Sequence, residues 1–224
     1  MKPLAELINT AEPGIDLVRS WLSEGSLPYE ILPPSPDSGD RLVETQVTTR
    51  SPMGAIVYET GGIIVDHGWL RILGSGGGRL TRSLPQWNTD VLGSDRSAYL
   101  VADDVLGGFF AINGGAFGDD LGSLHYLPYD GISWQALNVN YSQFLAWCVT
   151  SRMHDFYGDD RMPDWPERAA SVALDQCWAF YPFLWTAEGS IQGSSCKPVP
   201  ALEAIGLKID IMKQLAEPAG GPNT

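Results

Sequence analysis

Paired carboxylates are the commonest chemistry-bearing pattern in this chain: Asp103-Asp104, Asp119-Asp120 and Asp159-Asp160. Two carboxylates that converge can divide acid and base roles or hold a cation. Adjacent residues on a strand point to opposite faces, so a doublet on a strand does not converge by itself. Turn chemistry accounts for Asp119-Asp120 and Asp159-Asp160. Gly118-Asp-Asp-Leu-Gly has too few oxygen donors at alternate positions for a calcium loop. A glycosidase-type pairing of 103 with 119 stays open, yet no spacing selects it.

Other catalytic signatures are missing. His67, His125 and His154 are isolated, and no H-x-H, H-x-x-x-H or C-x-x-C spacing occurs, so no metal site is expected. No serine sits in a Gly-x-Ser-x-Gly elbow, and Ser194, Ser195 and Cys196 have no base nearby in sequence. The run Leu73-Gly-Ser-Gly-Gly-Gly-Arg lacks both the Walker ending and the third glycine of a dinucleotide fingerprint, so it reads as a flexible surface loop and no cofactor is expected. One polar, aromatic set could still make a small-molecule or enzyme site on strand ends: Thr49, Arg50, Tyr58, His67, Trp69 and Arg71. Its convergence is not readable from spacing.

Charge points elsewhere. The 224 residues carry 14 Lys+Arg against 27 Asp+Glu, a net charge of −13. That acidity argues against a nucleic-acid binder, which needs a basic surface. Between Arg96 and Arg152 there is no Lys or Arg, while Asp103, Asp104, Asp119, Asp120 and Asp130 give this stretch a net charge of −5. Residues 51–96 are balanced, with four acidic and four basic side chains. The expectation is a single-sign acidic surface able to steer a basic partner, with Trp134 as an aromatic anchor or a core residue under the next helix. No apolar run approaches a membrane span, the first residues lack a signal-peptide core, and three widely spaced cysteines suit a reducing compartment. A cytoplasmic location follows as an expectation.

The elements that must position these groups follow from periodicity. Leu4, Leu7 and Ile8, then Ile15, Val18, Trp21 and Leu22, predict N-terminal helices. Pro33, Pro34 and Pro36 predict an extended strap, and 37–46 a short helix. Short β-rich runs at 55–59, 62–66, 69–73, 99–102, 109–113 and 123–127 predict a meander, with Gly61-Gly62 and Asn113-Gly114 as turns. Asn140 reads as an N-cap for a helix over 141–149. Further helices are predicted over 165–176 and 200–216, with an aromatic patch at 178–185 that could serve core or assembly. The expected architecture is one α+β domain over 1–217, mainly antiparallel sheet with helices from the N-terminus and the C-terminal third packed on it. Residues 218–224 are expected to be a disordered tail.

With these elements placed, a resemblance emerges. The run Val101-Ala-Asp-Asp-Val-Leu-Gly-Gly-Phe-Phe-Ala-Ile-Asn-Gly-Gly, then Leu124-His-Tyr-Leu, Trp134 and Tyr141-Ser-Gln-Phe-Leu, resembles a bacterial family defined only as a domain of unknown function. Gln46-Val-Thr-Thr-Arg-Ser-Pro-Met-Gly-Ala-Ile-Val-Tyr-Glu-Thr-Gly-Gly and His67-Gly-Trp-Leu-Arg-Ile-Leu-Gly-Ser-Gly belong to the same pattern, which extends to about residue 216. It implies a family but no activity. More distantly, residues 98–150 are similar to the SUKH superfamily, α+β proteins of which many bacterial members are immunity proteins that neutralise toxins. The chain lacks a clear SUKH helix signature at its N-terminus. This likeness implies binding rather than catalysis, with a basic toxin as one partner. The sequence therefore reads as a non-enzymatic protein-binding domain, the alternative being the polar site near Arg50, His67 and Arg71.

Overall fold

The computed structural model describes residues 1–161 and 164–216. The expected tail at 218–224 lies outside the described residues. Seven strands form a meander in which each pairs antiparallel with the next: β1 (Tyr29–Leu32), β2 (Gly62–Val65), β3 (Leu70–Leu73), β4 (Ala98–Asp104), β5 (Phe109–Asn113), β6 (Ser123–Leu127) and β7 (Gln135–Asn140). The mixed fold is α+β.

Register determines which side chains share a face. Arg71 stands opposite Asp103, and Asp103 opposite Phe109 and then Leu127, so these four lie on one side of the sheet with Ile64. Ile72, Ala102, Phe110 and Tyr126 occupy the other. Both faces are covered, which is why the middle strands are buried almost throughout instead of alternating. On the first face, α5 (Leu84–Leu92) stacks Trp87 on Phe109, and a hairpin of β8 (Gln176–Tyr181) with β9 (Ser195–Pro200) joins through Trp178 N–H to the Val105 carbonyl. On the second, α6 (Tyr141–Trp147) sets Phe144 against Phe110, and α7 (Arg152–Tyr157) sets Phe156 against Tyr126. The fully buried Phe110 joins the two layers; truncating such a ring costs about 3–5 kcal/mol. The N-terminal helices α1 (Leu4–Leu7), α2 (Gly14–Glu24), α3 (Ser38–Thr45) and α4 (Pro52–Glu59) pack on one another, with α2 also meeting α6. After α8 (Trp165–Ser171) and the β8–β9 hairpin, α9 (Ala201–Ala216) packs on that hairpin and on α5.

Several expectations change. Ala55-Ile-Val-Tyr-Glu is helical, because Ser51 caps α4 by accepting from Gly54 N–H at 3.1 Å and Pro52 fits its first turn. The meander begins instead inside the proline-rich strap, at β1, and ends with an unforeseen β7. Gly61-Gly62 is not a hairpin turn: the β2–β3 reversal falls at Asp66–Gly68. The glycine loop is not a flexible surface loop at its start. Ser75 is buried and donates to the Thr60 carbonyl at 2.7 Å, and a Cβ on Gly74 would meet backbone at 2.6 Å. Ser83 caps the unexpected α5, accepting from Gln86 N–H. The helix expected over 165–176 ends at Ser171, where Val172 turns extended. Asn140 caps α6, as expected, and Gln143 completes a capping box with it, while the helix expected over 141–149 ends at Trp147.

Candidate functional site

The Asp103-Asp104 doublet is fully buried, so neither residue belongs to a partner-facing surface. Each ionisable carboxyl is held by internal donors, on opposite sides of the sheet. Asp103 receives Arg71 Nη1 at 3.2 Å and Arg82 Nη1 at 2.7 Å. Arg82 also donates to Asp175 at 3.0 Å and to the Leu174 carbonyl, and lies over the Trp87 ring. Burial disfavours the Arg82 charge, but Asp103 and Asp175 outweigh it and raise its pKa. Asp104 accepts from Tyr126 Oη at 2.7 Å, Tyr157 Oη at 3.0 Å, Leu106 N–H at 2.9 Å and Gly108 N–H at 2.8 Å. Burial, with the neighbouring Asp103 charge, raises its pKa against the Tyr126, Gly108 and Tyr157 donors.

The other acidic residues separate. Asp119 and Asp120 are exposed in loop 114–122, whereas exposed Asp130 follows the far end of β6. The loop is firmly braced. Asn113 donates to the Gly118 carbonyl and Asp120, and accepts from Gly115 and Phe117 N–H. His125 Nε2 lies 2.9 Å from Asp120 Oδ2 and holds that carboxyl below its ordinary pKa. Trp134 is half-buried, stacked 4.7 Å from Phe117, which in turn faces His125; it supports the loop from beneath. Leu121, between these acids and Gly122, is 70% exposed.

The alternative polar set does not assemble as a whole. Thr49 is buried and accepts from Asn9 N–H, and exposed Arg50 pairs with Glu12 at 2.6 Å, tying both to the N-terminal helices. Tyr58 sits half-buried on α4. Arg71 is in the sheet interior with Asp103. His67 is exposed in the β2–β3 turn, where Asp66, His67 and Gly68 have φ of 54°, 61° and 93°. Left-handed backbone at two consecutive non-glycine residues is costly and persists only when its surroundings hold it. Here buried Asp66 is clamped by Arg161 Nη1 at 2.7 Å and His154 Nε2 at 3.0 Å, and Arg161 is sandwiched between the Trp69 and Trp165 rings. Asp66, His154, Arg161 and Trp165 carried no sequence signal, since they meet across some 90 residues of chain.

Beside this turn opens a cleft of about 580 Å³, lined by Tyr29, Glu30, Ile64, His67, Arg79 and the segment from Ala169 to Leu174. Arg79 pairs with Glu30 at its rim. Among the described residues, no group of three or more His, Cys, Asp or Glu side chains is placed to hold a metal ion, and no helix is long and apolar enough to cross a membrane. Cys148 and Cys177 are buried thiols, the latter pushed up to about 12 by burial, so neither offers a thiolate nucleophile at neutral pH.

The chain is 38% identical over 186 residues to the putative uncharacterized protein YbfG of Escherichia coli, covering 83% of this chain and 86% of that protein. It is 35% identical over 189 residues to an uncharacterized protein of Haemophilus influenzae, covering 82% and 83%. Residues 4–204 match the protein family of unknown function DUF2625, and the chain belongs to that family.

Proposed function

We propose that this chain is a non-enzymatic, cytoplasmic protein-binding domain that engages a basic partner through its acidic loop 114–122, as an immunity-like protein engages a toxin. The observation that supports it most is that loop: an exposed Leu121 beside Asp119 and Asp120, on a frame braced by Asn113, His125, Phe117 and Trp134. A braced loop loses little conformational entropy on binding, and an apolar tip flanked by acids matches an apolar pocket with a basic rim. Asp103 and Asp104 contribute by folding the sheet and not by contact, and Asp130 stands apart.

The reading expects a basic protein encoded beside this gene, and titration calorimetry against such a protein tests it. Asp119→Lys combined with Leu121→Glu should weaken binding at least about 10-fold, a loss near 1.4 kcal/mol, and raised salt should weaken the native pair. Glu203→Lys, on the exposed side of α9, should leave it unchanged. Equal affinity of the loop variant and the native chain overturns the proposal.

A further inference from the structure

Lys208 stands at a second, smaller cavity that the acidic-loop reading does not use. The side chain is buried, and Nζ donates to the Pro128 and Gly131 carbonyls. No third acceptor holds it among the described residues. Its remaining neighbour is the Trp185 ring, whose centroid lies 5.1 Å from Nζ. Lys208 and Trp185 both line the cavity, whereas Pro128 and Gly131 do not, so the amine borders the cavity on its Trp185 side. Trp178, Phe180 and Phe183 make further aromatic walls, and Leu207, 41% exposed, stands at the rim. The cavity measures about 40 Å³. One water needs about 10–15 Å³, so there is room for about three non-hydrogen atoms.

The surroundings also favour the reactive form of the amine. Burial lowers the Lys208 pKa to about 8, against the opposing pull of Asp104, Cys177 and Asp130. At pH 7 about one Lys208 in ten is then neutral, against about one in 2,500 for an ordinary lysine. A lysine desolvated in an apolar pocket is a Schiff-base nucleophile.

We propose that Lys208 captures a short-chain aldehyde as a Schiff base in this cavity, independently of loop 114–122. The Nζ lone pair adds to the carbonyl carbon, and a proton passes from nitrogen to oxygen to give a carbinolamine. Loss of water then leaves an iminium. The net step takes one ammonium and one aldehyde to one iminium and one water, with no oxidant or reductant. The positive charge is retained, so Asp104 and Asp130 still favour it. One N–H remains for the two carbonyls, so one of them loses its donor and the adduct stays reversible.

Acetaldehyde with cyanoborohydride, applied to the full chain at pH 7, traps the iminium as an ethylated lysine that peptide mass spectrometry locates. Lys2, Lys197 and Lys213 are exposed and serve as internal controls. Lower basicity and restricted access offset part of the gain in free amine, and Lys208 should still be ethylated at least about 10-fold faster than Lys213. Benzaldehyde exceeds the cavity and should label the exposed lysines while sparing Lys208. Ala204→Leu, at a half-exposed position lining the cavity, should abolish the preference for Lys208 and leave Lys213 labelling unchanged. The proposal is overturned if the exposed lysines react as fast as Lys208, or if benzaldehyde labels Lys208 as readily as acetaldehyde does. A preference that survives Ala204→Leu also overturns it, and the comparison of the two aldehydes needs no variant to fold.

Discussion

Three buried tyrosines allow one chemical change to be made with opposite expected signs. Tyr126 and Tyr157 each donate a hydroxyl to Asp104, at 2.7 and 3.0 Å. The Tyr141 hydroxyl is also buried but has no partner among the described residues. Replacement by phenylalanine removes only the oxygen, so packing changes little and the hydrogen bond decides the outcome. A bond to an ionisable carboxyl contributes about 1.5–3 kcal/mol, and its loss leaves Asp104 with three donors instead of four. Tyr126→Phe and Tyr157→Phe should each cost about 2 kcal/mol, roughly 4–8 °C in Tm for a chain of this length. Burying an unpaired hydroxyl is itself unfavourable, so Tyr141→Phe should be neutral or stabilise by up to about 1 kcal/mol. Urea denaturation at unchanged m reads all three as shifts of midpoint. The double variant Tyr126→Phe with Tyr157→Phe should depart from additivity, because both donors share one oxygen of Asp104. A loss at Tyr141→Phe equal to that at Tyr157→Phe would refute the view that hydroxyl pairing, rather than ring packing, holds this core in register.

Two further outcomes follow from the same interior. Gly108→Ala should cost more than about 3 kcal/mol by urea denaturation, since a Cβ there would lie 2.2 Å from both Asp104 Oδ2 and Tyr126 Oη, in a cluster with no room to move. Lys208 is buried, donating to the Pro128 and Gly131 carbonyls, and burial lowers its pKa to about 8 from 10.5. A base whose folded pKa is depressed binds fewer protons folded than unfolded, so its contribution to stability is present above 10.5 and lost as pH falls through 8. The difference in stability between the native chain and Lys208→Met should therefore change in favour of the native chain from pH 8 to 10, by at most about 3 kcal/mol; a pH-independent difference would contradict it.

What was legible in the sequence was whatever short-range chemistry decides. Asn140 encodes the start of α6, and the apolar runs at 62–66, 69–73, 99–102, 109–113 and 123–127 encode five strands of the meander. The same logic misread 55–59, where a β-branched run is overruled by the Ser51 cap and Pro52, and it missed β7, whose polar residues lie on an exposed edge. The acidic doublet shows where such reading ends. Asp103-Asp104 stands between Leu-Val-Ala and Val-Leu, a strand that sheet formation buries on both faces. A carboxylate there survives only with donors, and beside the local Leu106 and Gly108 N–H groups the side-chain donors come from 21 to 53 residues away: Arg71, Arg82 and Tyr126 in the sheet neighbourhood, Tyr157 from a helix laid across it. Local charge counting assigns both acids to the surface because it carries no term for partners that arrive by tertiary packing. The sequence stretch 97–151 does carry five acids and no base, yet folding withdraws two of them and divides the rest between the two ends of β6. The proposed electrostatic contact is therefore tested by substitution in loop 114–122, since the net charge of −13 alone does not locate it.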